Sequence, residues 1–189
     1  MLRPQKLSIK TRPGLSQREF CFREAKENMI APDDWNEEIE NFLVYCQDQG
    51  VRLIMVGGGA VNFHGYKRHS ADVDFWIDSS SSNLKALVKV LNMMGYEIDR
   101  FPENVEKGFQ NISLKFSPQT PDIELITNFS ANKPYENAFS DSILTSNKNK
   151  PKLKWRVLNY EDLITSKIKA GRPKDLVDVQ ELKRIRNNE

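Results

Sequence analysis

The sequence predicts an α+β domain with helices at both ends, on three observations. Short apolar runs of strand length recur at 53–56, 73–77, 112–116 and 123–126, alternating with polar residues or stopping at glycine. Around them lie segments whose apolar residues fall three and four apart, the period of a half-buried helix. Glycine, proline and serine separate the two kinds of pattern, so each change of period coincides with a turn. At 189 residues and 39% hydrophobic, the chain suits one globular unit: an arm and helices at 1–50, a core at 51–158 and a helix pair at 159–189.

Residues 1–14 are polar, carry Pro4 and Pro13, and read as an irregular arm. Residues 15–29 suit a helix, with Ser16 as its cap and Glu19 three residues on completing a capping box. Asp33 or Asp34 caps the next helix. It runs to about Gln49, with Trp35, Ile39, Phe42, Leu43 and Cys46 on one face and Gly50 as its stop. Serines fill 79–82 and serve as turn and cap for a helix faced by Leu84, Leu87, Val88, Leu91 and Met94. Gly95 ends it. A short strand is expected at 96–100, a clearer one through Ile112, Leu114 and Phe116, a turn at 117–121 and a strand at 122–126. Residues 127–149 are polar apart from a helical turn near 135–139, residues 147–152 make a basic loop, and 153–158 form a last strand. Two helices close the chain. The first spans 161–170 and stops at Gly171; the second follows Pro173, with Leu176, Val179 and Leu182 facing inward.

Residues 51–78, VRLIMVGGGAVNFHGYKRHSADVDFWID, are the centre of the chain. An apolar strand stops at Gly57-Gly58-Gly59, and a short helix over 60–64 follows, whose first N–H groups lack internal partners. Glycine there lets an anion approach the backbone closely. Beyond a basic loop, Val73, Phe75 and Ile77 alternate with Asp72 and Asp74. Residues two apart on a strand share a face, so these carboxylates point the same way, about 7 Å apart along the chain. Two acids on one face repel unless a cation lies between them, and their hard oxygens suit magnesium.

Gly57-Gly58, a gap of 13 residues and then Asp72-Val73-Asp74 resemble the signature of the DNA polymerase beta-like nucleotidyltransferases. GGGAVNFHGYKRHSADVDFWI is similar to the minimal bacterial members of that superfamily. A second resemblance lies in YEDLITSKIKAGRPKDLVDVQEL, where Lys167, Arg172, Lys174, Asp175 and Asp178 match a segment found after the core in many of them; together the two segments cover about 50 residues. The resemblance implies the family's mixed β-sheet with helices packed against it. It also implies a third metal-binding acid on a neighbouring strand between two apolar residues. Glu124, enclosed by Ile123 and Leu125, matches best, and Asp122 is the second choice. The family more often has aspartate there, and often a serine where this chain has Gly58, so the backbone alone or Ser70 must serve in its place.

The implied chemistry is transfer of a nucleoside monophosphate from a nucleoside triphosphate to a hydroxyl, with release of pyrophosphate. Asp72, Asp74 and Glu124 would hold two magnesium ions, and Glu124 would help deprotonate the acceptor hydroxyl. Gly57, Gly58 and Gly59 would cradle phosphate, and Lys67, Arg68, Ser70, Lys167, Arg172 and Lys174 would answer its charge. Arg68 alternatively pairs with Asp72 or Asp78. His64 and His69 have no third ligand nearby in sequence and read as packing or hydrogen-bonding residues.

Lys plus Arg number 28 against 26 Asp plus Glu, a net charge of +2, which excludes a large nucleic-acid footprint. No apolar run approaches the roughly 20 residues of a membrane span. Cys21 and Cys46 form neither a metal pair nor a disulfide framework, and a cytoplasmic setting follows. The expected partners are a nucleoside triphosphate and an acceptor that is a small molecule, protein or RNA. The alternative is a weak or inactive binding module of the same fold, such as a toxin–antitoxin component with a protein partner, motivated by Glu124 and by the missing hydroxyl at Gly58.

Overall fold

The sheet is built outward from β1 (Leu53–Met55), whose three residues are all buried. β1 pairs antiparallel with β2 (Asp72–Ile77) on one side and parallel with β6 (Lys154–Val157) on the other. β2 then pairs in parallel with β4 (Asp122–Ile126), and β4 antiparallel with β3 (Ile112–Leu114). β5 (Ile143–Ser146) lies antiparallel on the far side of β6, giving a mixed six-stranded sheet of order β3-β4-β2-β1-β6-β5. This computed structural model describes residues 35–116 and 122–188. The arm, the helix expected at 15–29, the Asp33 and Asp34 caps and the turn at 117–121 lie outside the described residues.

Alternation decides which face of the central strands is buried. Val73, Phe75 and Ile77 of β2, with Ile123 and Leu125 of β4, are at most 3% exposed, whereas Asp72, Asp74, Asp122 and Glu124 between them remain half-buried. The apolar side packs under α1 (Glu37–Asp48), where Phe42 meets the Phe75 ring at 6.5 Å. α3 (Ser81–Met93) packs beside α1 and buries Leu84, Leu87, Val90 and Leu91. Asn36 caps α1 and Ser80 caps α3, each accepting a hydrogen bond from a backbone N–H three residues on. Trp76 shares the acidic face of β2 but is covered by Phe129 and by Tyr135 of α5 (Tyr135–Asp141). A single turn, α4 (Glu103–Glu106), precedes β3. α6 (Tyr160–Ala170) and α7 (Pro173–Asn187) pack on each other, and α6 reaches α2 (Gly57–Phe63). Among the described residues no helix is long and apolar enough to cross a membrane.

Four local expectations differ from the structure, each for a physical reason. α2 begins at Gly57 rather than after the glycines, so the glycines are its first turn. At 96–100 only Tyr96 makes a bridge, because the Asn92 amide donates to the Ile98 carbonyl (2.8 Å) and accepts from its N–H (3.0 Å), occupying groups a ladder would need. β5 lies within the stretch expected to be polar. It is an edge strand with Leu144 58% exposed, and it lacks the buried alternation that marks the other strands. Leu176 is half exposed while Asp175 and Asp178 are buried, because the inward face of α7 carries ion pairs as well as Val179 and Leu182.

Gly57 joins β1 to α2 with a positive φ of 58°, and a Cβ there would lie 1.8 Å from Asp74 Oδ2. Gly50 has a similar φ of 67° but open space around it. In urea denaturation Gly50→Ala is expected to cost about 1–2 kcal/mol, the strain of the left-handed conformation alone. Gly57→Ala is expected to cost clearly more, since Asp74 must also move. Equal losses would contradict this reading of the turn.

Candidate active site

Asp74 stands directly opposite Glu124 across the parallel β2–β4 ladder, and Asp72 stands opposite Asp122. One carboxylate oxygen each from Asp72, Asp74 and Glu124 lies within 4.8 Å of the other two, and among the described residues this is the one cluster of its kind. Asp122 shares the face, but its carboxylate pairs with Lys115 at 3.3 Å. Asn111 donates from Nδ2 to Glu124 Oε1 at 3.0 Å and accepts from the Thr127 N–H through Oδ1, which orients the glutamate carboxylate. Sequence reasoning missed Asn111; a lone asparagine ahead of a short strand carries no readable signal.

Burial is the largest reason that the Asp74 carboxyl is pushed up from 3.8 to about 6, and repulsion from Asp72 and then Glu124 adds to it. Lys167 and an N–H hydrogen bond from Gly58 pull the other way without overcoming it. Holding Asp74 ionised at neutral pH therefore costs on the order of 3 kcal/mol. Half-buried oxygens, mutual repulsion and hard donors are the chemistry a divalent cation satisfies, so these three residues fit magnesium.

The glycine turn borders the cluster directly. The helical ladder of α2 starts with Ala60 N–H to Val56 O at 3.2 Å, leaving the N–H groups of Gly57, Gly58 and Gly59 outside it. That of Gly58 is already directed at Asp74, so the cradle expected from three glycines has one donor fewer. A Cβ on Gly58 would lie 2.3 Å from Ser70 Oγ: the Ser70 hydroxyl occupies the space that a serine at position 58 would need.

The basic residues form a network rather than a set of free charges. Lys167, 5% exposed in α6, donates to Asp175 and Asp178, both at 2.9 Å. Arg68 grips Asp178 with Nε at 2.6 Å and Nη2 at 3.0 Å, not Asp72 or Asp78. Asp78 instead pairs with Arg52 at 3.2 Å and holds the Ser80 hydroxyl. Arg172 donates to both oxygens of Asp175, and this bond first, with Asp74 among the smaller influences, raises its pKa. Lys67 and Lys174 are exposed. His64 Nε2 meets the Leu158 carbonyl at 2.8 Å, and burial lowers its pKa; it packs edge-on against Phe63 and Tyr160 and joins no metal-type cluster among the described residues.

Residues 34–187 match the model of a family described as nucleotidyltransferase of unknown function (DUF6036). The chain belongs to that family. No curated protein matches it. Membership agrees with the mixed sheet and with the carboxylate cluster beside the glycine turn, and it supports nucleotidyl transfer as the general chemistry of the family.

The pH dependence follows with a definite sign. The folded chain holds the Asp74 proton more tightly than the unfolded chain does, so this group favours folding below about pH 4, and that contribution is lost as pH rises through about 6. In metal-free buffer at pH 7.5, Asp74→Asn is therefore expected to melt higher than wild type. Magnesium should raise the melting temperature of wild type and not of the variant, with the rise shrinking below pH 6. A variant less stable than wild type at pH 7.5, with an undiminished magnesium response, would contradict the assignment of strain to Asp74.

Proposed function

We propose that this protein transfers a nucleoside monophosphate from a nucleoside triphosphate to a hydroxyl of an acceptor, releasing pyrophosphate. The observation that carries the reading is the convergence of Asp72, Asp74 and Glu124 within 4.8 Å at the first turn of α2, in a chain of a nucleotidyltransferase family. The three carboxylates would hold magnesium, which when bound neutralises phosphate charge and polarises the reacting phosphorus. The chain's own groups do the rest. Ser70 and the N–H groups of Gly57 and Gly59 would meet an approaching phosphate, and Arg68, Lys167 and Arg172 would add positive charge. The acceptor oxygen bonds to the α-phosphorus, the bond from that phosphorus to the bridging oxygen breaks, and pyrophosphate leaves with the electron pair. The hydroxyl proton passes to the Glu124 carboxylate, which Asn111 orients through Oε1.

Two features that would favour an inactive module lose force in this geometry. Glutamate at position 124, although a methylene longer, still brings its oxygen into the cluster. The hydroxyl missing at Gly58 has a neighbour in Ser70.

The test is incubation with cell extract, magnesium or manganese, and each triphosphate labelled at either the α- or the γ-phosphate. Label from the α position is expected on an acceptor and none from the γ position, and Asp74→Ala should abolish transfer. Label from the γ position would indicate phosphoryl transfer instead. No label from any triphosphate with either metal would overturn the reading.

A further inference from the structure

Asp178 is 1% exposed and lies in α7, yet it gathers two cations from distant parts of the chain. Its Oδ1 accepts from Arg68 Nε, and its Oδ2 accepts from Arg68 Nη2 and from Lys167 Nζ. Arg68 comes from the loop between α2 and β2, 110 residues away. The two-point grip fixes the plane of the guanidinium as well as its position. The remaining terminal nitrogen, Nη1, is held by the His69 carbonyl at 2.9 Å and lies 3.2 Å from where a Cβ of Gly58 would stand. The guanidinium is thus pinned with one edge on Asp178 and the other against the first turn of α2.

Charge counting shows what this arrangement does. Arg68, Lys167 and Arg172 share two buried carboxylates, Asp175 and Asp178, so the five groups keep one positive charge in excess. A staple that only held α7 to the loop would need one pair, and three cations on two desolvated acids leave charge unspent beside the glycine turn. Lys167 lowers the proton affinity of Asp74, and Asp74 raises that of Arg172, in each case as a lesser influence.

We propose that Asp178 is a positioning residue for the triphosphate: it fixes Arg68 against the turn of Gly58, so that the guanidinium meets the phosphates already oriented. An unheld arginine would lose its considerable side-chain freedom at the moment of binding. The inference rests on the nucleotidyl-transfer reading and adds to it a residue outside the carboxylate cluster that sets affinity for the triphosphate.

Calorimetry with an α,β-methylene triphosphate analogue in magnesium, and with magnesium alone, tests it on wild type, Asp178→Asn, Arg68→Ala and the double variant. Each single variant is expected to weaken analogue binding about tenfold or more while magnesium alone binds as in wild type. The double variant should bind the analogue no more weakly than Arg68→Ala, since Asp178 acts through Arg68. Independent, multiplying losses, or an Asp178→Asn protein that binds the analogue like wild type, would overturn the inference and leave the transfer reading standing. If Asp178→Asn does not fold, Arg68→Lys decides, because it keeps the charge and loses the two-point grip: several-fold weaker analogue binding supports the inference, and unchanged binding overturns it. Wild type that binds no triphosphate analogue would overturn both.

Discussion

Asp74 faces Glu124 across the β2–β4 ladder and Asp72 lies two residues away on the same face, so three negative charges share one small, half-buried volume. Left to themselves they would move apart or protonate; burial first, and then repulsion from Asp72 and Glu124, raises the proton affinity of Asp74. The cost is sustained by the opposite face of the same strands. Val73, Phe75, Ile123 and Leu125 are buried against the helical layer, and a one-residue slip of either strand would turn those side chains to solvent. Burial of apolar side chains thus holds the acids in register, with roughly 1.5–3 kcal/mol for each fully buried large aliphatic or aromatic group.

The surroundings are arranged to suit that charge. Gly57 is the residue that lets α2 begin beside Asp74, where any side chain would collide with the carboxylate. Asn111 holds one glutamate oxygen, which fixes the direction of the other. The positive network of α6, α7 and the loop before β2 does not pair with the acid cluster directly: Lys167 and Arg68 bond to Asp175 and Asp178. The site therefore keeps separate negative and positive halves, an arrangement suited to a ligand that is itself a polyanion with bound cations.

Much of this was legible in the sequence where the signal is local. Period-two alternation around Asp72, Asp74 and Glu124 gives both the strands and the face, and the three glycines before an apolar segment give the turn. Glu124 and Asp122 are hard to tell apart from sequence, since both lie on one face of one strand; an ion pair with Lys115, just after β3, is what sets Asp122 apart. Contacts decided by tertiary register left no trace. Asn111 finds Glu124 only because β3 and β4 pair antiparallel, and Arg68 finds Asp178 across 110 residues. β5 carries no sequence signal for a related reason: an exposed edge strand has no buried face to impose a pattern. Leu176 is left exposed because its helix uses the inward face for carboxylates.

Anomalous diffraction from crystals soaked in manganese tests the central claim most directly, because manganese accepts the same oxygen ligands as magnesium and reveals its own position. One or two peaks within bonding distance of carboxylate oxygens from Asp72, Asp74 and Glu124 are the expected result. Saturating manganese with no peak among those three residues, or with the ion bound elsewhere and the carboxylates turned away from one another, would contradict a site built on their shared charge.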